Sequence, residues 1–458
     1  MTAARDPREV VETVFRAAVA GADPGVATAE ALARIPMARH QRLWLFAIGK
    51  AANAMAASAA GVLQRALLTV AGGLVVAPEE GAPPTATVTA IRGDHPVPGR
   101  NSFAAAAQLA DVAAGMRSND LAVVLISGGA SSLIGAPLRG MSEADFSHLY
   151  EMLLNSGLDI HAMNAVRKRF SRWGGGRLAL ALAPATTYCL AVSDVIGDEV
   201  SSIGSGPCVP DPYTVQDVIQ ILQRTRLYNR LAPSFREHLS GTKRGLVPET
   251  PKAGHPAFAH VTARVIANNR VALDAARASA ESLDAGPVTV ADAPLEGNAA
   301  EAGAALARAL IARRAQSPGT RSVLLVGGET TVVLPAPAPT PALRPRGEPI
   351  PPPPPYPQGG RCQELALAAA RVLSEAGEAG RGITLLAAGT DGRDGPTDAA
   401  GACVNANTWG AIRDAGRDPT AALASHESYD ALDAVGALVR TGPTGTNVAD
   451  VVIGLISG

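Results

Sequence analysis

Short apolar runs alternate with helix-like segments along most of this 458-residue chain, and this rhythm constrains the fold more than any other feature. The runs at 43–49, 72–77, 122–128 and 187–194 are each followed by a loop and then by a helix-like or further strand-like stretch. Strand–helix–strand repeats of this kind predict a mostly parallel, Rossmann-like sheet with helices on both faces. Ligands of such sheets bind beyond the carboxyl ends of the strands, so the loops that follow the runs are the first candidate sites.

The length of the chain indicates more than one domain. The proline- and charge-bearing segment 241–260 is the predicted linker, with an N-terminal α/β domain over 1–250 and a C-terminal α/β domain over 260–458. A second segment, 335–358, is so rich in proline that it is interpreted as an exposed insertion without a place in a sheet, rather than as a ligand for an SH3-type domain.

Composition excludes several classes of protein. The formal net charge of −1 argues against nucleic acid as a partner. We find no apolar stretch of membrane-spanning length and no signal peptide, so no membrane partner is expected. The four cysteines lack the spacing of a zinc site or a disulfide framework, which favours a reducing, cytoplasmic location. They are Cys189, Cys208, Cys362 and Cys403.

Lysine is scarce, since only four of the forty basic residues are lysines. Lys50 lies where the run 43–49 gives way to a helix, in the sequence "AIGKAANAMA". The positive end of a helix dipole disfavours a cation unless an anion is bound nearby. Lys50 is therefore a candidate for contacting an anionic ligand, and the alternative is an ordinary surface lysine in a first helical turn.

Three loops rich in glycine and hydroxyl groups follow apolar runs: "SGGASS" (127–132), "GGET" (327–330) and "TGPTGTN" (441–447). Backbone N–H groups in such loops can bind phosphate, although the same residues also form ordinary tight turns. Neither GxxxxGK[ST] nor GxGxxG after a strand occurs, which disfavours a P-loop ATPase and a dinucleotide-binding enzyme. The phosphate- or substrate-binding candidates in these loops are Ser127, Gly128, Gly129, Ser131, Ser132, Glu329, Thr444 and Asn447.

Acidic and basic side chains complete the candidate site. Asp194 ends the run 187–194 and suits a general base or a magnesium ligand. The loop 387–402 gathers three further aspartates, which favours either a bound cation or a hydroxyl group to deprotonate. Helical spacing places Asn164, Arg167, Lys168 and Ser171 on one side, either facing an anion or facing solvent. The metal candidates are Asp391, Asp394 and Asp398, and the remaining binding candidates are Asn164, Arg167, Lys168 and Asn268.

Taken together, these motifs resemble the glycerate 2-kinase family, whose C-terminal part is the MOFRL domain. The series spans roughly residues 45 to 450: "AIGKAA", "GDHPVPGRNS", "LISGGASSL", "NAVRKRFS", "SDVIGDEVSSIGSGP", "GGETTV", "GRCQELALAAA", "GTDGRDGPTDAAGA" and "TGPTGTN". The resemblance implies two α/β domains flanking a cleft. It also implies transfer of the γ-phosphoryl group of ATP to the 2-hydroxyl of D-glycerate with Mg²⁺. Its carried-over catalytic residues are Lys50, Asp194 and Arg361.

Three positions depart from the family pattern. Cys362 replaces an Asn, Gly174 replaces a Lys, and Asn298 replaces an acid. Two other functions stay open at this point: an NAD(P)H-dependent hydroxypyruvate reductase, and a non-catalytic module that binds a sugar acid or a nucleotide. The oligomeric state is also open, with a homodimer as one option.

Overall fold

The computed structural model describes residues 5–38, 41–334 and 357–457, so almost all of the predicted insertion at 335–358 lies outside the described residues. The chain forms two compact units. The N-terminal unit comprises Ala22–Asn268 and the short segment Gly445–Val448. The C-terminal unit comprises the other described residues, including those at the start of the chain.

The N-terminal unit is built on a six-stranded sheet in which every pair of neighbouring strands is parallel. The order across the sheet is β3-β2-β1-β4-β5-β6. This arrangement confirms the parallel, Rossmann-like sheet predicted from the strand–helix rhythm, and strands buried on both faces explain the uninterrupted apolar runs. The strands are β1 (Arg42–Ile48), β2 (Val70–Ala77), β3 (Val88–Arg92), β4 (Asp120–Ile126), β5 (Thr186–Val192) and β6 (Val261–Ala267).

Helices of the N-terminal unit begin where the sequence offers caps. Ser142 accepts a hydrogen bond from the N–H of Asp145 at 3.0 Å, as the sequence pattern predicts, and Asp159 caps the helix after it. The helices are α2 (Pro24–Leu32), α3 (Ala52–Arg65), α4 (Arg100–Ala113), α5 (Ala130–Leu133), α6 (Glu143–Leu154), α7 (Ile160–Phe170), α8 (Arg177–Leu182), α9 (Val215–Arg224) and α10 (Pro233–Lys243).

The predicted linker at 241–260 lies within the N-terminal unit. Its first residues complete α10, and the buried hydroxyl of Thr250 donates to the carboxylate of Asp211 at 2.8 Å. Strand β6, which the sequence division places in the C-terminal domain, instead pairs with β5. The units therefore divide after Asn268 rather than at 250–260, because β6 completes the parallel sheet.

The C-terminal unit contains a mixed sheet in the order β11-β10-β9-β12-β8-β7. Strand β12 lies between β9 and β8 and runs antiparallel to both, with Asp450 opposite Gly328 and Gly389. The start of β12 therefore meets the ends of two other strands. The strands are β7 (Val288–Val290), β8 (Ser322–Gly328), β9 (Ile383–Gly389), β10 (Gly401–Asn405), β11 (Leu438–Val439) and β12 (Asp450–Ile456).

Helix α13 is the central helix of the C-terminal unit. Ten of its residues are buried, and seven of them belong to a core rich in leucine and alanine side chains. No helix in the described part of the chain combines the length and the apolar character that a membrane crossing requires. The helices of this unit are α1 (Pro7–Gly21), α11 (Asn269–Ser282), α12 (Ala299–Gln316), α13 (Arg361–Glu375), α14 (Thr408–Asp414), α15 (Pro419–Ser425) and α16 (Ser428–Asp433).

Candidate active site

The loops that follow β1 and β4 are joined by hydrogen bonds at the predicted glycine-rich loop. The N–H of Lys50 donates to the carbonyl of Gly128 at 2.9 Å, and the N–H of Ala51 donates to the Ser127 hydroxyl at 3.0 Å. Gly129 takes a left-handed conformation, with φ of 84°, which favours glycine. The candidate lysine and the candidate phosphate loop therefore form one structural element.

Lys50 and His95 pack against Gly129. A Cβ atom built on Gly129 would lie 2.9 Å from Cδ2 of His95 and 3.5 Å from Cγ of Lys50. Burial, and to a smaller extent the positive charges of Lys50 and Arg167, lower the pKa of His95 to about 4. His95 is therefore neutral at neutral pH, although the sequence analysis did not select it from "GDHPVPGRNS".

Asp194 lies against the neighbouring glycine of the same loop. A Cβ atom built on Gly128 would be 2.1 Å from Oδ2 of Asp194, a distance that no side chain tolerates. The same oxygen is 3.4 Å from the Nδ2 atom of Asn447, which belongs to the short segment of the N-terminal unit. Four sequence-predicted residues, Lys50, Gly128, Asp194 and Asn447, are thus brought together at one edge of the parallel sheet.

Replacing Gly128 with alanine is expected to displace the Asp194 carboxylate and to lower kcat about tenfold, because a small misplacement of a reacting group is costly. Initial rates and the thermal midpoint should be measured together. Gly61→Ala in α3 is the matched control, since a Cβ there meets only ordinary contacts, at 3.5 Å. Unchanged turnover in Gly128→Ala would mean that Asp194 takes no part in the reaction.

Helix α7 contributes two of its three predicted residues to this region. Asn164 donates through Nδ2 to the carbonyl of Ser202 at 2.9 Å and accepts from the Ser205 hydroxyl at 3.3 Å. Arg167 is only 7% exposed, and its guanidinium lies 4.6 Å from the centre of the Tyr150 ring. Burial lowers the pKa of Arg167.

Lys168, the third predicted residue of α7, has a different environment. Its side chain is fully buried, with Nζ 3.2 Å from Oδ1 of the equally buried Asp211. The ammonium also lies 4.9 Å from the centre of the Tyr213 ring. Burial lowers the pKa of Lys168, whereas Asp211 acts in the opposite direction. These contacts give Lys168 a structural ion pair, and they offer no support for a role in binding substrate.

Arg361 begins α13 in the C-terminal unit and is held by two carboxylates. Its Nε and Nη2 atoms donate to the two oxygens of Asp450 at 2.6 and 2.9 Å, and Nη1 lies 2.6 Å from Oε1 of Glu329. Burial alone would lower the pKa of Arg361, but the bonds and charge of Asp450 outweigh it and raise that pKa. The guanidinium is therefore permanently charged and fixed in orientation.

The three predicted metal ligands do not form a cluster. Asp394 is buried and accepts from the N–H groups of Cys362 and Gln363 at 3.1 and 2.8 Å, while burial raises its pKa to about 7. Asp398 is exposed and pairs with Arg440 at 3.1 Å. Across residues 5–38, 41–334 and 357–457, no three His, Cys, Asp or Glu side chains are arranged to hold a metal ion.

The remaining predicted residues make local contacts. Ser132 donates to the carbonyl of Gly129 at 3.0 Å, and the hydroxyl of Ser131 contacts that of Ser205. Asn268 donates to the carboxylate of Asp198, and Thr444 donates to the carbonyl of Thr390 at 2.6 Å. These hydrogen bonds order the loops. Direct contact between these side chains and a ligand stays a prediction.

An open pocket of about 480 Å³ lies beside Arg361 within the C-terminal unit. One wall carries Glu364 and His426, whose side chains are 2.8 Å apart. The sequence analysis missed this pair and also missed Asp450. In the sequence, Asp450 is simply an acid at the start of an apolar strand. It reaches Arg361 because β12 runs antiparallel to its neighbours.

The three departures from the family pattern lie in different local environments. Cys362 is 2% exposed, and burial, together with Asp450 and Asp394, raises the pKa of its thiol well above the ordinary value. Gly174 would place a Cβ atom at 3.4 Å from its neighbours, an ordinary contact. Asn298 caps α12 by accepting from the N–H of Glu301 at 3.1 Å. All four cysteines are free and buried.

Comparisons with known proteins agree over nearly the whole chain. A family model described as a domain of unknown function (DUF4147) matches residues 10–240, and the MOFRL family model matches residues 322–450. An Agrobacterium vitis protein with the provisional name hydroxypyruvate reductase is 40% identical over 448 residues, covering 97% of this chain and 93% of the relative. The glycerate 2-kinase of Pyrococcus horikoshii is 35% identical over 418 residues, covering 91% and 88%.

A solved structure is similar as well. The crystal structure of glycerate kinase from Thermotoga maritima matches with a TM-score of 0.79 at 33% identity, over 98% of this chain and 99% of that chain. The ranges matched by the two family models include the three glycine-rich loops and the aspartate loop.

Proposed function

The chain belongs to the glycerate 2-kinase family, and on that premise we propose that it phosphorylates D-glycerate at the 2-hydroxyl to give 2-phosphoglycerate. The observation that carries the proposal within the N-terminal unit is the convergence of Lys50 and Asp194 on Gly128 and Gly129. A cation and a carboxylate packed against one loop of small residues provide both requirements of a phosphoryl transfer, namely charge compensation and an acceptor for the hydroxyl proton.

Each catalytic candidate receives a role in this proposal. Lys50 offsets the negative charge of the migrating phosphoryl group with a compact ammonium on a flexible stem. Asp194 orients the 2-hydroxyl of glycerate and accepts its proton. Arg361, held by Asp450 and Glu329, contacts the substrate or the transferred group through a fixed guanidinium. Placing the acceptor oxygen in line with the phosphorus is the main requirement of this chemistry.

A kinase of this family requires a nucleotide, and we propose ATP with Mg²⁺ as the donor. The glycine-rich loop 127–132 suits a phosphate, because backbone N–H groups and hydroxyls in such loops bind phosphate and the cationic Lys50 packs against Gly129. The three aspartates selected from the sequence do not fit as a joint metal cage, since Asp394 already binds two backbone N–H groups. Mg²⁺ commonly binds through substrate phosphates and one or two carboxylates, and it neutralises phosphate charge when bound.

Incubation of the protein with ATP, Mg²⁺ and D-glycerate is expected to give a product that enolase consumes directly. Enolase acts on 2-phosphoglycerate, so the coupling enzyme itself identifies the phosphorylated hydroxyl. A signal that appears only after addition of phosphoglycerate mutase would indicate 3-phosphoglycerate and would contradict the proposal.

Oxidation of NADH or NADPH with hydroxypyruvate, in the absence of kinase activity, would favour a reductase instead. Hydroxypyruvate reduction is the activity that the name of the Agrobacterium vitis relative gives. A cytoplasmic location and a homodimer stay predictions, to be checked by fractionation and by light scattering.

A further inference from the structure

Arg167 is a buried cation that no carboxylate neutralises within the described residues. Its side chain is 7% exposed, and its Nε atom is buried without a hydrogen-bond partner. Within the described residues the guanidinium makes one hydrogen bond, from Nη1 to Oδ1 of Asn164 at 3.5 Å. Guanidinium groups stay protonated in proteins, and burying an unpaired charge is strongly unfavourable. The arrangement therefore favours the binding of an anion.

The other buried basic residues of α7 show how unusual this is. Lys168 lies 3.2 Å from Asp211, and Arg169 lies 2.7 Å from Glu249, so each has an acidic partner. Arg167 instead faces groups without negative charge: the ring of Tyr150 and the neutral His95. Burial raises the pKa of Tyr150 to about 12, so its hydroxyl stays protonated.

We propose that Arg167 binds the carboxylate of the acceptor and so restricts the kinase to 2-hydroxy acids, an inference that rests on the proposed function. Two features favour a carboxylate over a phosphate. The guanidinium is buried over the Tyr150 ring, which suits a group that keeps its place during the reaction, and its planar fork can bind both oxygens of a carboxylate. The exposed Lys50 is the better partner for a group that moves during the reaction.

The surroundings of Arg167 also suit a small hydroxylated acid. Asn164, Ser131 and Ser205 are linked by hydrogen bonds beside it, and the Tyr150 hydroxyl donates to the carbonyl of Ser131 at 3.1 Å. Hydroxyl and amide groups of this kind can bind the hydroxyls of a short substrate. A neutral polyol such as glycerol would leave Arg167 without a counter-charge, and a site with an unpaired buried group rejects such an analogue.

The test compares Arg167→Gln and Arg167→Lys with Arg172→Gln, a control on an exposed arginine next to the same helix. For Arg167→Gln, kcat/KM for D-glycerate is expected to fall about 10- to 100-fold, because a charged hydrogen-bond donor is lost. KM for ATP should stay within about twofold, and Arg167→Lys should recover part of the loss. A rise in KM for ATP with an unchanged KM for glycerate would assign Arg167 to the nucleotide and overturn the proposal.

Calorimetry separates this inference from the kinase assignment. Titration of the nucleotide-free protein with D-glycerate or D-lactate should show binding that Arg167→Gln abolishes and Arg172→Gln retains. That result supports the carboxylate site even if the wild-type protein transfers no phosphoryl group. Equal binding by wild type and Arg167→Gln, with both proteins folded, overturns the proposal even if the kinase assay succeeds.

Discussion

Lys50→Ala is expected to lower kcat about 10²- to 10³-fold while the protein stays folded. The side chain is exposed and makes no ion pair in the described residues, so its removal should change the free energy of unfolding very little. Its backbone N–H still donates to Gly128, which preserves the loop. The measurements are the steady-state rate at saturating ATP and glycerate, and the urea midpoint.

Lys243→Ala is the matched control for that experiment, because Lys243 is an exposed lysine in the last turn of α10. Lys50→Arg adds a second comparison, since a planar guanidinium does not replace a compact ammonium. Near-normal turnover in Lys50→Ala would remove this lysine from the reaction and leave the charge compensation to other groups.

Arg361→Gln is expected to lower kcat by a similar factor, about 10²- to 10³-fold, because it removes a fixed positive charge. This change also leaves Asp450 fully buried without its partner, so a loss of stability on the order of a few kcal/mol should accompany it. Activity must therefore be measured well below the melting temperature. Arg371→Gln is the control, since Arg371 lies on the same helix and is 43% exposed.

A double-mutant cycle with Asp450→Asn shows whether Asp450 acts through Arg361. If its function is to orient the guanidinium, Asp450→Asn should reduce kcat in the wild-type background and have almost no further effect in Arg361→Gln. Additive effects of the two changes would mean that Asp450 contributes independently of Arg361. Circular dichroism of all four proteins separates either result from unfolding.

The parallel sheet and its ligand-binding loops could be predicted because they depend on local pattern. Apolar runs followed by glycine-rich turns define the strand ends, and parallel strands bring those ends to one edge. Lys50, Gly128 and Asp194 come from three separate loops, and the structure brings them together as this rule implies.

Residues that depend on non-local packing could not be predicted in the same way. Helical spacing predicts that Asn164, Arg167 and Lys168 lie on one side of α7, but it does not reveal that an acid 43 positions later, Asp211, pairs with Lys168 and separates it from the other two. The sequence analysis predicted an α/β fold for the C-terminal domain, but it did not predict that strand β12 runs antiparallel to β8 and β9. Without the register of β12, nothing in the sequence connects Asp450 with Arg361.

The aspartate loop shows a different limit. Three carboxylates close in sequence suggested a shared cation, yet the backbone directs Asp394 towards the start of α13 and Asp398 towards Arg440. Repulsion between acids is relieved here by backbone N–H groups and by an arginine. Proximity along the chain therefore gave no information about where each carboxylate points.

The central position of β12 has a consequence for biosynthesis. Both neighbours of this strand, β8 and β9, precede it in the chain, so on the ribosome their facing edges emerge before the strand that joins them. Unpaired edges of this kind promote aggregation in nascent polypeptides. Expression at low temperature or with added chaperones should therefore raise the yield of active enzyme more than that of total polypeptide.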